Sequence, residues 1–184
     1  MKGIVFSELF ELVEAEAGYE LVDRIILECG LESEGAYTSV GTYEFSELAT
    51  IVGKLSEITQ IPADVLIKKF GHHLFKSFST KFGEFFKYET TFDLLQNVQD
   101  IIHVEVCKLY PNAELPTFQY SSPSDGVLQM YYESTRPLAD LCQGLIEGCI
   151  DHFGENIELR RQDHNDQKTR SLFTLTKSMV PLIA

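Results

Sequence analysis

Cationic side chains are scarce in this sequence: 15 Lys+Arg stand against 28 Asp+Glu, for a net charge of −13. Such a chain repels phosphate backbones and anionic lipid surfaces, so neither nucleic acid nor membrane is an expected partner. Long apolar runs are missing as well. The opening MKGIVFSELFELVEAEAGYE is broken by acids, and no segment reaches the eighteen or so uninterrupted apolar residues of a membrane span. A cytoplasmic location is expected. Paired-cysteine motifs are also absent: Cys29, Cys107, Cys142 and Cys149 form no CxxC. Cys142 and Cys149 fall on one expected helix with Cα atoms roughly 10 Å apart, beyond disulfide reach. Cys149 and His152 could share a helical face with Cys142, but the spacing matches no tight zinc pattern, and buried structural thiols are expected. GxSxG and GxxxxGK[ST] do not occur, and the carboxylates spread along helices as solvated faces, so the protein is not expected to be an enzyme.

What remains is one domain of 184 residues, without repeats or low-complexity linkers, long enough to bury a core or enclose a ligand. Up to about residue 110 the apolar spacing is helical. Residues 4–15, 19–29, 45–58 and 63–70 each carry a helical stripe, the last opening after Pro62. FGHHLFKSFSTKFGEFF, residues 70–86, is aromatic-rich and less regular. Residues 92–109 predict one long helix with Leu95, Val98, Ile102, Val106 and Leu109 on its main stripe. After Pro111 the period changes to two. Residues 118–121 and 127–134 read as strands joined by PSDG, Pro137 starts a helix that stops at Gly154, and NIELRRQDHNDQKTRSLFTLT reads as a second hairpin. The fold class is α+β: an N-terminal helical part, a long helix, and an antiparallel sheet with one intervening helix.

Two features invite chemistry. In MYYESTRPL, residues 130–138, a strand that has buried Leu128 and Met130 continues on the same face with Tyr132, Ser134 and Arg136. Polar residues alternate on any half-exposed strand. A phenol, a hydroxyl and a guanidinium on one face can also clamp carboxylates, which fits a flat apolar ligand with acidic tails. His103, in VQDIIHVEVCKLYPNAELP, projects beside the main helical stripe, on a flank shared with Gln96, Gln99 and Cys107. By its spacing alone it reads first as a surface residue or a satisfied core residue, and only then as a ligand.

Taken in order, the MKG opening, a histidine in a long helix followed by LYP, the proline of ELP, YESTR and then GLIEG at 144–148 resemble the haem nitric oxide/oxygen-binding (H-NOX) domains. That family is related to the haem domain of soluble guanylate cyclase, and the resemblance runs through essentially the whole chain. It implies haem b (iron protoporphyrin IX) as cofactor, with His103 as the single axial iron ligand. Tyr132, Ser134 and Arg136 would bind the propionates, and Pro116 would press on the porphyrin. Residues about 1–60 would form a helical N-terminal subdomain, and about 61–184 the haem-ligating, propionate-binding subdomain.

Family members that hold oxygen use a tyrosine in the helix after YxSxR, and the corresponding position here is Leu141. The other distal positions correspond to Leu9, Leu74 and Phe78, and the nearby Asp140 and Gln143 face away by helical angle. The resemblance therefore implies a sensor of nitric oxide that also binds carbon monoxide and excludes oxygen, because bound oxygen is stabilised by a hydrogen-bond donor. It also implies a separate signalling partner, a histidine kinase or a cyclic-di-GMP synthase/phosphodiesterase. Two alternatives stand beside it: a non-haem ligand-binding or protein-interaction module, and a haem carrier.

Overall fold

The structure, a computed structural model, describes residues 1–178, so the last six residues of the expected domain lie outside the described ones. The first helices form where the apolar spacing predicts them: α1 (Gly3–Ala17), α2 (Tyr19–Cys29) and α3 (Phe45–Thr59). Gly18 and Gly30 end the first two, and their positive φ angles of 83° and 56° explain why glycine occupies both positions. α4 (Ala63–Lys81) follows Pro62 and is much longer than expected. The aromatic stretch after Phe70 continues this helix to Lys81, and only Gly83–Phe86 departs from it, as a 3₁₀ turn.

The single long helix expected over 92–109 is divided. α5 (Thr91–Gln96) ends at Asn97, Val98–Ile102 is a π-helical segment, and α6 (His103–Leu109) completes it. The His103 N–H bonds the Val98 carbonyl, five residues back, in place of the α-helical four. One extra residue per turn changes the phase of every side chain beyond it. Leu109, expected on the buried stripe, is accordingly 53% exposed.

β1 (Thr117–Ser121), β2 (Val127–Glu133), β3 (Ile157–Asp163) and β4 (Arg170–Lys177) form an antiparallel sheet in the order β1-β2-β4-β3. α7 (Ala139–Phe153) lies between the two hairpins, two residues beyond the expected proline start, and ends at Gly154 in the left-handed conformation. Register pairs Phe118 with Tyr132, Tyr132 with Ser171 and Met130 with Phe173, so one sheet face buries Phe118, Leu128, Met130, Tyr132, Phe173 and Leu175. The strand ends at Glu133, but the alternation of burial continues beyond it: Ser134 and Arg136 are half-buried between exposed Glu133, Thr135 and Pro137. The Ser134 N–H still donates to the Thr169 carbonyl at 2.9 Å, and the Arg136 N–H donates to Ser134 Oγ at 3.1 Å in the bend that follows.

Two apolar clusters result. One gathers Phe6, Leu9, Ile25, Leu48, Phe70 and Leu74 from α1 to α4; the other gathers Phe75, Leu94, Leu95, Ile146 and the inner sheet face. α4 contributes to both, and Leu145 of α7 packs against both. α4 and α7 cross at backbone contact. A Cβ on Gly144 would fall 2.0 Å from the Lys68 carbonyl oxygen, and one on Gly71 2.2 Å from that of Leu141. The first and last glycines of GLIEG are thus packing residues: Gly148 would meet the Phe75 Cβ at 2.9 Å.

Candidate functional site

His103 enters the site from the first turn of α6. The π segment before it rotates Gln99 and His103 inward, leaving Gln96 and Cys107 of the expected flank exposed. The His103 ring lies 5.7 Å, centroid to centroid, from Phe118 on β1, and Phe118 is 5.8 Å from Tyr132. Gln99 fastens this arrangement: its side-chain oxygen accepts from the Phe118 N–H at 2.9 Å, joining β1 to the turn that carries the histidine. His103 Nδ1 is buried and has no hydrogen-bond partner among the described residues. Burial lowers the pKa of the imidazole to about 4, so at neutral pH the ring is uncharged and retains a nitrogen lone pair. An uncharged imidazole with no other commitment is what a metal ligand requires.

Carboxylate-binding groups collect at one rim. Arg136 is only 15% exposed, and its guanidinium holds Glu114 twice: one nitrogen bonds the carboxylate, and the other bonds the Glu114 main-chain oxygen at 3.2 Å. The Met1 amine lies in the field of both residues, its pKa lowered by burial first and then by Arg136. The MKG opening is held there by backbone: the Met1 amine donates to the Tyr43 carbonyl at 2.5 Å and Gly3 N–H to the Gly41 carbonyl at 3.0 Å. Gly3 has no room for a side chain, since a Cβ would meet the Thr38 oxygen at 2.0 Å. Tyr132 is buried on the inner sheet face, where desolvation raises its phenol to about 12 and keeps it protonated, a donor. Pro116 is half-buried immediately before β1, two residues from Phe118.

The four expected distal residues share the other cluster. Leu9 and Leu74 are buried in it, and Phe78 and Leu141 pack against it. Asp140 is committed elsewhere, to Arg161 at 2.6 Å and Lys168 at 3.0 Å, and Gln143 to Glu147 and Arg161. The phenols of the same cluster are also engaged: Tyr37 donates to Glu47 at 2.5 Å, and Tyr43 accepts from the Thr38 N–H at 2.9 Å.

The expectation that the carboxylates are solvated fails at Glu8 and Glu47, which are buried. Glu8 on α1 is compensated from α4, by Lys81 at 2.5 Å and His73 at 3.3 Å. Cys142 and Cys149 are buried with thiol pKa values pushed up by desolvation, and no group of metal-binding side chains forms among the described residues. Two surface clefts, about 170 and about 510 Å³, lie over the outer sheet face and beside Phe92, and His103 lines neither. Sequence reasoning missed Phe118, Gln99 and Glu114. The last two stand in the quoted VQDIIHVEVCKLYPNAELP segment, but neither has a signal there beyond position.

Known proteins share the sequence profile and the fold of this chain. The profile of the Haem-NO-binding family matches residues 2–161. No curated protein matches the chain. Among solved structures, the Fe(II) unliganded H-NOX protein from K. algicida is 36% identical over 100% of both chains, with a TM-score of 0.91. The IWP-051-bound H-NOX from Shewanella woodyi, in the Fe(II)CO state, is 40% identical over 99% of this chain and 97% of that one, with a TM-score of 0.85. An H-NOX protein from S. oneidensis in the Fe(II)NO state is 25% identical over 97% of this chain and 99% of that one, with a TM-score of 0.88. The chain belongs to the Haem-NO-binding, or H-NOX, family of haem-based gas-sensor domains.

Proposed function

We infer that this protein is a cytoplasmic sensor of nitric oxide that holds haem b, binds carbon monoxide as well, and excludes oxygen. The observation that carries the cofactor reading is the half-buried imidazole of His103, uncharged and with a buried, unpartnered Nδ1, one ring away from Tyr132. His103 would hold the haem iron, Arg136 with Tyr132 and Ser134 would receive the propionates, and Pro116 would pack against the porphyrin. Haem, when bound, supplies the ferrous iron to which a diatomic gas adds. Leu9, Leu74, Phe78 and Leu141 wall the opposite side. Discrimination against oxygen follows from what these residues cannot do: leucine and phenylalanine offer no donor, and the Tyr37 phenol is already committed as a donor to Glu47.

His103 also provides the switch. Gln99 ties its turn to β1, so a release of His103 alters the strain between α6 and the sheet. The proposed subdomains, about 1–60 and about 61–184, meet along α4, which gives Phe70 and Leu74 to one apolar cluster and Phe75 to the other. Their relative shift changes the surface offered to a histidine kinase or a cyclic-di-GMP synthase/phosphodiesterase. The domain senses rather than catalyses. The test is the visible spectrum of the purified ferrous protein under argon, carbon monoxide, nitric oxide and air. The expected result is a haem spectrum that changes with carbon monoxide and with nitric oxide and is indifferent to oxygen; a colourless protein would favour a non-haem module.

A further inference from the structure

Arg136 holds a carboxylate from its own chain. Its fork grips Glu114 through both the carboxylate and the main-chain oxygen, while its own N–H is fixed by Ser134 Oγ. The two partners differ sharply in exposure, at 15% for the Arg136 side chain and 69% for that of Glu114. Glu114 can therefore leave for solvent at little desolvation cost, whereas Arg136 cannot leave without being stranded in a partly buried rim. Glu114 lies in the connection between α6, which carries His103, and β1, which carries Phe118. Tyr110 anchors that connection beneath the Lys2 ammonium at 5.9 Å, and the Ala113 N–H closes a turn on the Tyr110 carbonyl at 2.9 Å.

We propose that Glu114 is an internal competitor for the haem propionate: its carboxylate pairs with Arg136 and must be displaced before a propionate can take its place. This rests on Arg136 receiving a propionate. The exchange swaps one carboxylate for another on the same guanidinium, with no change of charge at the arginine and no covalent step. A binding site that is competent only when the Glu114 arm is open has its apparent affinity reduced by the open fraction. For a pair with one exposed member that reduction is roughly two- to fivefold. The main-chain contact to Arg136 survives substitution of the side chain, so the connection keeps its course while the competitor is removed.

The test is haem titration of the apoprotein, followed by Soret absorbance, for wild type, Glu114→Gln, Glu44→Gln and Arg136→Ala. Glu44 is an exposed acid in the field of the same Met1 amine but does not touch Arg136, so it reports the general effect of removing one negative charge. The expected result is a haem dissociation constant about two- to fivefold lower for Glu114→Gln and unchanged for Glu44→Gln. The gain should vanish when the propionates are esterified. An unchanged or weaker affinity in Glu114→Gln, or an equal gain in Glu44→Gln, overturns the competitor. An Arg136→Ala protein with wild-type affinity instead overturns the propionate assignment on which it rests.

Discussion

Replacing Gly144 by alanine isolates the crossing on which the site is built. The added Cβ would lie 2.0 Å from the Lys68 carbonyl oxygen and 2.9 Å from the His72 nitrogen, both backbone atoms that no rotamer can move. Overpacking of this kind costs about 1–3 kcal/mol, and a backbone clash belongs at the upper end. Alanine returns about 1 kcal/mol through its better helix propensity. The net loss is about 2 kcal/mol, a fall in Tm of about 4–8 °C for a domain of this size. Gly53 on α3 supplies the control, because a Cβ there meets nothing within 4 Å. Gly53→Ala should raise stability by about 0.5–1 kcal/mol through propensity alone. Thermal unfolding followed by circular dichroism measures both. If Gly144→Ala melts at or above the wild-type temperature, α4 and α7 are not in backbone contact and the packing argument fails.

Leu141→Tyr places a phenol on the helix that flanks the distal cluster; a hydrogen bond to oxygen there adds roughly 1 kcal/mol or more, about fivefold in affinity, visible as a spectral change on admitting air to the ferrous protein. No change on air would mean that the phenol does not reach the gas. Arg136→Ala should speed haem transfer to apomyoglobin roughly ten- to hundredfold, as loss of a charge-assisted pair worth about 1.5–3 kcal/mol implies; unaltered transfer would remove it from the rim. The haem-free protein should lose stability on acidification through His103. Its folded pKa of about 4 lies below the ordinary 6.5, so the unfolded chain binds the extra proton between those values. Stability is retained above about 6.5 and falls by about 3 kcal/mol towards pH 4. Urea titrations at pH 7 and pH 4.5 should show the loss in wild type and a smaller one in His103→Gln, and equal losses would contradict it.

Where one helix face meets one cluster, the sequence predicts the element closely. The period of Tyr19–Cys29 gives α2 residue for residue, and the glycines at 30 and 154 mark true helix ends. α4 hides its second half because it serves two clusters: Phe70 and Leu74 face one and Phe75 the other, so apolar residues run around the helix and blur the 3.6 period. The π segment is a slip of one residue in hydrogen bonding, which composition does not encode. At the site, Tyr132 is buried as the alternation along β2 predicts, and the alternation runs on past the end of the strand through half-buried Ser134 and Arg136. The inward turn of His103 is not legible in the same way, because it depends on the π segment before it. Glu114 and Glu8 are invisible in sequence for one reason. What makes each matter arrives from far along the chain, Arg136 in one case and Lys81 in the other.

The most direct measurement is haem ligation by His103→Gly. The variant removes the imidazole and leaves α6 in place, so the folded protein should emerge without haem, and imidazole added to the medium should restore the wild-type Soret spectrum by filling the vacated position. A variant that keeps the wild-type spectrum without imidazole would contradict the account, because the iron would then be held by some other side chain.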